Sequence, residues 1–353
     1  MKILYCMPSL ESVYAARFIY EGYKNAFLDL KHEFRPYTSN DDLKTVLDEF
    51  LPDVFMYSLN GYHLKFIDLA LLKLYRDRGL VVFCQVGAWN ETNAKVENLT
   101  FALKHRREQV SLIKNGLAGD IFWHWYKQDE PLMEGFTQTT GRAFTTIHLA
   151  ADKTQYYQEV DEQFDCDVCY VGSYLPDKRV FFKKHILPLR GKYDVRIYGS
   201  DWTLGSRILG KIQKVGQYFN IDQLKKVRSL NLALADERKL YSTARISLNV
   251  HEEQVKIHNS EINERTFKIL ACGGFQLCDN VPLLRSFFSS DELVIADNTD
   301  DWFDKIAFYL AHPEKRRAIA EAGRKKVLSE HSYHNRVKQV EDLYTDFLHH
   351  ERA

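Results

Sequence analysis

Apolar residues enter this chain in short unbroken runs, and the stretches between the runs are spaced like helices. Lys2–Met7, Pro52–Leu59 (PDVFMYSL) and Leu80–Val86 (LVVFCQV) have strand length. Ser9–Leu30, Asp41–Glu49 and Ile67–Arg76, between them, read as helices. A run apolar at consecutive positions suits a strand covered on both faces. Strands alternating with helices predict a parallel α/β sheet. His32–Tyr37, Gly119–Trp125 and Thr145–Leu149 add three strands, and a helix from about Ala94 to Gly116 precedes the second of these.

Ala150–Phe164 is polar and acidic, a crossing between domains, and Cys166–Ser173 (CDVCYVGS) restarts the pattern. Asp177–Leu187 reads as a helix, Tyr193–Gly199 as a strand, Leu230–Ala235 as a strand end and Asp236–Ala244 as a helix. The most informative stretch is Ala244–Asp279. Ile246, Leu248 and Val250 alternate as a strand, a polar loop runs from Glu252 to Ile262, and Asn263 is placed to cap a helix carrying Phe267, Leu270 and Ala271. Gly273 and Gly274 stop that helix before the strand Phe275–Cys278. Leu293–Ala296 and the helices Asp300–Ala311, Pro313–Ser329 and Tyr333–His349 complete the chain.

A strand–loop–helix unit in an open parallel sheet presents its loop and helix N-terminus at the carboxyl edge, where ligands bind. Here the helix opening at Asn263 offers backbone N–H groups, and Arg265 a planar fork, to an anion. Gly172 and Ser173 end the first strand of the second half, and Tyr198, Gly199 and Ser200 end the next. His251 ends the Ile246–Val250 strand, and Lys256 and His258 lie in the loop beyond it. For each of these the plain alternative is an ordinary turn, cap or solvated side chain.

Composition narrows the classes. Lys plus Arg and Asp plus Glu both total 48, so no net charge favours nucleic acid or an anionic membrane. The basic, mixed segment Ser206–Arg228 is a local exception, read either as an acidic-acceptor contact or as a solvated insertion. The six cysteines sit in apolar surroundings, with one CxxC at Cys166 and Cys169, and read as free thiols of a reducing cytoplasm. No signal peptide or long apolar span is evident, which predicts a cytoplasmic protein. The single D-x-D match, Asp165–Asp167, runs into a strand, so no tightly bound metal is expected.

The residues NVH…ERTFKILACGGFQLCDN followed by DELVIADNTDDW…YLAHPEKRRAIAEAGRKKVLSEHSYHNRV resemble the C-terminal part of CgeB-like glycosyltransferases, relatives of the group 1 glycosyltransferases. IYGSDW likewise resembles a YG-x-x-W turn of that family. The resemblance implies an α/β GT-B fold, two Rossmann-like parallel-sheet domains facing a central cleft. Residues 1–155 would form the acceptor domain, joined by a returning helix at about 334–350, and residues 156–333 the donor domain. It implies transfer from a nucleotide-diphosphate sugar, without cofactor or metal, to a glycan, lipid-linked glycan, protein or small molecule. Gly172, Ser173, Tyr198, Gly199, His251, Asn263, Glu264, Arg265 and Thr266 would hold the donor, and Leu232–Ala235 would lie by the base. Glu11 and His63 are the first candidates for catalysis, ahead of Asn90, Glu91, His124 and Asp129. The chain departs from the wider superfamily where E-x(7)-E is usual, with Ser260 and Lys268 in its place, leaving Glu261 or Glu264 as substitutes toward a ribose. Nucleotide-sugar epimerisation and non-catalytic binding on the same frame are the alternatives.

Overall fold

The computed structural model describes residues 1–11, 15–89, 99–176, 178–227, 232–252, 256 and 261–351. The chain divides into two compact units, Met1–His148 with Arg336–Ala353, and Leu149–Asn335.

The first unit is one parallel sheet of β1 (Lys2–Cys6), β2 (Glu33–Tyr37), β3 (Val54–Ser58), β4 (Val81–Gln85), β5 (Ile121–His124) and the two-residue β6 (Thr145–Thr146), in the order β2-β1-β3-β4-β5-β6. The crossovers are made by α1 (Ala15–Asp29), α2 (Leu43–Phe50), α3 (Leu69–Arg76), α4 (Leu99–Lys114) and the short α5 (Phe136–Thr140). Unbroken apolar runs become strands buried on both sides. Leu4, Cys6, Phe55, Tyr57, Val82 and Cys84 enter one core, while Ile3, Tyr5, Met56 and Phe83 are buried on the opposite face. There Tyr5 lies edge-on to Tyr20 of α1, with ring centroids 5.5 Å apart.

The second unit orders its strands β11-β10-β9-β7-β8, all parallel, from β7 (Val168–Val171), β8 (Val195–Tyr198), β9 (Ile246–Asn249), β10 (Gln276–Asp279) and β11 (Val294–Ala296). Its longer helices are α6 (Leu204–Phe219), α7 (Leu234–Thr243), α8 (Glu264–Ala271), α9 (Thr299–Ala311) and α10 (Pro313–Glu330). The last helix, α11 (Tyr333–Glu351), joins the first unit from Arg336 onward. Within that unit Arg336 Nε donates to the His148 carbonyl (2.8 Å), and His32 Nε2 meets Glu341 (3.0 Å).

Each sheet reverses its direction of growth once, between β1 and β3 in the first and between β7 and β9 in the second. At such a switch the two flanking connections leave in opposite directions and open a crevice beyond the carboxyl ends of the strands.

Three local expectations are corrected. Residues 234–235, read as part of a strand end, open α7 instead, and Asp236 and Glu237 in its first turn favour the helix dipole. The basic segment Ser206–Arg228, read as an acidic-acceptor contact or a solvated insertion, is a regular helix as far as Phe219, within α6. Asp177–Leu187 is an irregular helical run of short α, π and 3₁₀ turns from Arg179 to Gly191.

Candidate functional site

The second switch is built around α8. Asn263 Oδ1 accepts from the Thr266 backbone N–H (3.1 Å) and caps the helix, and its amide exchanges hydrogen bonds with Asn249 at the end of β9 (3.0 and 2.9 Å). Thr266 Oγ1 accepts from Asn249 Nδ2 at 2.8 Å. This polar lock fixes the helix N-terminus at the carboxyl end of β9, while Phe267, Ile269 and Leu270 anchor the helix in the core.

Arg265 then projects across the switch. Its Nη1 donates to Asn249 Oδ1 (3.0 Å) and reaches the Val250 carbonyl of the β9 side (3.5 Å). Its guanidinium lies 5.1 Å from the ring centroid of Tyr170 in β7. It presses so closely on Gly172 that a Cβ there would collide with Nη2, which gives this glycine its reason. Gly199 is constrained in turn. Its φ is +123°, and a Cβ on it would strike the Gly172 carbonyl. Trp202 Nε1 donates to that same carbonyl (2.8 Å), so the IYGSDW turn pins the end of β7. Ser173 and Ser200 hydroxyls meet at 2.5 Å beside it. Gly172, Ser173, Gly199 and Arg265 are thus brought together, with Tyr198 paired to Val171 in the adjacent strand.

Two lysines add positive charge at this edge. Lys178 is buried with Nζ on the Val250 carbonyl (3.0 Å), and Lys256 pairs with Asp279 at 2.9 Å. Asp279 also accepts from the backbone N–H and Nδ1 of His251 (3.1 and 2.8 Å). Burial opposes its charge, yet His251 and Lys256 hold its carboxyl below the usual range. Burial pushes the His251 imidazole down, keeping the ring neutral. With Nδ1–H given to Asp279, Nε2 carries a lone pair, and among the described residues that buried atom has no hydrogen-bond partner. Such a nitrogen accepts from a hydroxyl and repels a phosphate oxygen. His251 therefore suits a sugar more than a diphosphate.

The departure from the superfamily motif becomes intelligible here. Lys268 is buried, paired with Glu264 at 3.4 Å, and sits 4.8 Å from the ring centroid of Tyr156. Burial raises the Glu264 carboxyl to about 7, against the pull of Lys268. Both side chains are buried in this pair, and Glu264 is one of the two residues offered as substitutes toward a ribose. Ser260, with His258, Asn90, Glu91 and Arg228, lies outside the described residues.

The first switch carries Glu11 beyond β1 and His63 beyond β3. Ser9 Oγ donates to Glu11 (3.4 Å). Tyr62, ring to ring with His63 at 6.1 Å, has its hydroxyl pushed up to about 12 by burial, with Cys6 and Glu11 adding to the effect. Burial lowers His63 to about 4, and its Nδ1 accepts from the Ser58 N–H (3.4 Å), so the neutral ring presents Nε2–H as a donor. His124 is buried, lowered to about 3 by burial and bound to the Tyr126 N–H (2.8 Å), which commits it to the fold.

Sequence reasoning passed over Lys178, Asp279, Tyr170 and Glu130. Glu130, next to the named Asp129, lines a cavity of about 410 Å³ with Glu134 and Phe144. Its Oε1 has no hydrogen-bond partner among the described residues, and burial, with Asp129 adding, lifts its carboxyl to about 7. No periodicity marks it. Asp279 is the last residue but one of the first quoted family run, and its role shows only when β9 and β10 pair. Among the described residues no group of three or more His, Cys, Asp or Glu side chains is disposed to hold a metal ion. No described helix is long and apolar enough to cross a membrane.

Known proteins are similar to this chain in sequence and in fold. Residues 179–342 match the family model described as "Glycosyl transferase-like". The spore protein CgeB of Bacillus subtilis (strain 168) is 27% identical over 58% of this chain and 69% of its own. Sucrose-phosphate synthase of Thermosynechococcus elongatus superposes with a TM-score of 0.64 at 11% identity, covering 98% of this chain and 99% of that one. Anabaena Alr3699/HepE, solved with UDP and glucose, gives 0.63 at 11% identity over 98% and 100%. An alpha-glucosyltransferase in complex with UDP and a 13-mer DNA containing a HMU base gives 0.61 at 11% over 98% and 99%. Fold and family domain together make this chain an enzyme of the glycosyltransferase class, built on the GT-B fold. Within that class it is similar to CgeB over 58% of its length.

Proposed function

We propose that the chain moves a sugar from a nucleoside-diphosphate sugar to an acceptor hydroxyl or amine, with the diphosphate held at the β7/β9 switch. The observation that carries this reading is Arg265, which spans the switch from the N-terminus of α8 and rests against Gly172. A diphosphate at that edge meets the Arg265 fork, the first-turn N–H groups of α8 and the Gly172–Ser173 backbone. Lys178 and Lys256 add to the local positive potential. These groups stabilise charge that grows on the leaving diphosphate as the sugar bond breaks. They supply the electrostatic role a divalent ion plays elsewhere, so transfer proceeds without a tightly bound metal. His251 Nε2 accepts from a sugar hydroxyl.

On the acceptor side the proposal places Glu11 and His63 at the β1/β3 switch. A carboxylate at Glu11 takes the acceptor proton, and His63 Nε2–H orients an acceptor oxygen. UDP is the first nucleotide to try, because solved proteins of this fold hold it.

Incubation with UDP-glucose and a panel of acceptors, in EDTA, tests the proposal. Release of UDP that depends on acceptor, unchanged by EDTA and abolished in Arg265→Ala, is the expected result. A changed sugar still attached to UDP assigns epimerisation instead. Activity that vanishes in EDTA and returns with Mg²⁺ removes the metal-independent part.

A further inference from the structure

Helix α6 is turned inside out relative to an ordinary surface helix. Thr203 caps it by accepting from the Ser206 N–H, and Asn220 ends it at a φ of +56°. The face it buries is small and polar, Gly210, Gln213 and Gly216. Gly216 lies against Leu224 so closely that a Cβ would not fit, and Gln213 Nε2 donates to the Lys225 carbonyl (2.9 Å). The apolar face points outward. Leu204 (70% exposed), Ile208, Ile212, Val215 and Phe219 (65%) recur at spacings of four, four, three and four residues, one continuous stripe, with Tyr218 beside it. Eight of the seventeen exposed large hydrophobic residues among the described residues fall between Leu204 and Ile221.

Along one border of the stripe run Arg207, Lys211 and Lys214, the latter two exposed. No acidic residue occurs from Thr203 to Ile221, although the chain as a whole has no net charge. Sixteen helical residues span about 24 Å at 1.5 Å each, too short and too charged to cross a bilayer. An apolar stripe with a cationic border is the composition of a helix that lies in the plane of a bilayer interface. The border supplies attraction to anionic headgroups and the stripe enters the acyl boundary. A second copy of the same face would offer no counter-charge.

We propose that α6 docks the protein on an anionic lipid surface. The sequence, read for net charge, carries no membrane signal, because the outward direction of the stripe is visible only in the fold. This inference does not depend on the transfer reaction.

Co-sedimentation of the full chain with vesicles of phosphatidylcholine, and with vesicles one third phosphatidylglycerol, tests it. The protein is expected to pellet with the anionic vesicles only. Ile208→Asp and Phe219→Asp should each lower the bound fraction about tenfold, a cost in the range of burying two methylenes, with circular dichroism unchanged because both side chains are exposed. Lys211→Glu with Lys214→Glu should weaken binding and remove its salt dependence. Failure of the wild type to bind anionic vesicles overturns the proposal. So does binding that survives Ile208→Asp and Phe219→Asp, or a dimer in light scattering that Ile208→Asp splits.

Discussion

Helices α6 and α8 belong to the same unit, and both alternate apolar with polar positions, yet they use that pattern in opposite ways. In α8 seven of eight residues are buried, including the Glu264–Lys268 pair, so the helix is part of the core and its N-terminus can be aimed. In α6 the apolar residues look outward and small residues make the contact. Periodicity sets where a helix forms. The direction of its apolar face depends on what packs against it, and here two glycines and a glutamine allow close approach on the polar side. One helix holds a candidate site in place, and the other turns its apolar face outward.

The largest effect that would sharpen this contrast is Phe267→Ala. Phe267 is fully buried, and truncating such a ring costs about 3–5 kcal/mol. Urea unfolding should show the second unit losing that amount. An unchanged midpoint would mean that α8 is not a core element.

Lys268→Ala comes next, at about 3 kcal/mol, because it leaves the buried Glu264 carboxylate without its partner. The cost has a pH signature. The Glu264 carboxyl is already raised to about 7 beside Lys268, and removing the cation raises it further. A group whose pKa is raised on folding stabilises fully below its unfolded value and loses that contribution as pH rises through the folded value. The variant should therefore lose stability from pH 6 to pH 8 more steeply than the wild type. Equal slopes would contradict the buried pair.

Asn263→Ala removes the cap of α8 and its bonds to Asn249, with an expected loss of about 1 kcal/mol in the same unfolding experiment. Smallest of all is Ile208→Ala on α6. An exposed side chain carries no core packing, so its midpoint should move by less than about 0.5 kcal/mol. A loss comparable to Phe267→Ala would erase the contrast between the helices.

Much of the fold is legible in the sequence because buried parallel strands need unbroken apolar runs, as in Val81–Gln85 and Lys2–Cys6. Asn263 is legible as a cap because a short polar side chain precedes an apolar helix. Arg265 and Gly172 are each legible as candidates, but their contact is not, since it crosses from one strand connection to another. The same holds for His251 and Asp279, 28 residues apart and joined only by the pairing of β9 with β10. Lys268 is misleading by type: a lysine reads as solvated, and here its stem is buried and its charge is matched within one helical turn. Residues 234–235 mislead in the other direction, where alternating leucines imitate a strand before acidic residues start a helix.

The central claim is that the β7/β9 switch binds a nucleoside diphosphate through Arg265. Calorimetric titration of UDP into the wild type, Arg265→Ala and the surface control Arg285→Ala tests it most directly. Charge-assisted hydrogen bonds of about 1.5–3 kcal/mol predict affinity lowered roughly ten- to hundredfold in Arg265→Ala and unchanged in Arg285→Ala. Equal UDP affinity in all three proteins, each shown to be folded, would contradict it.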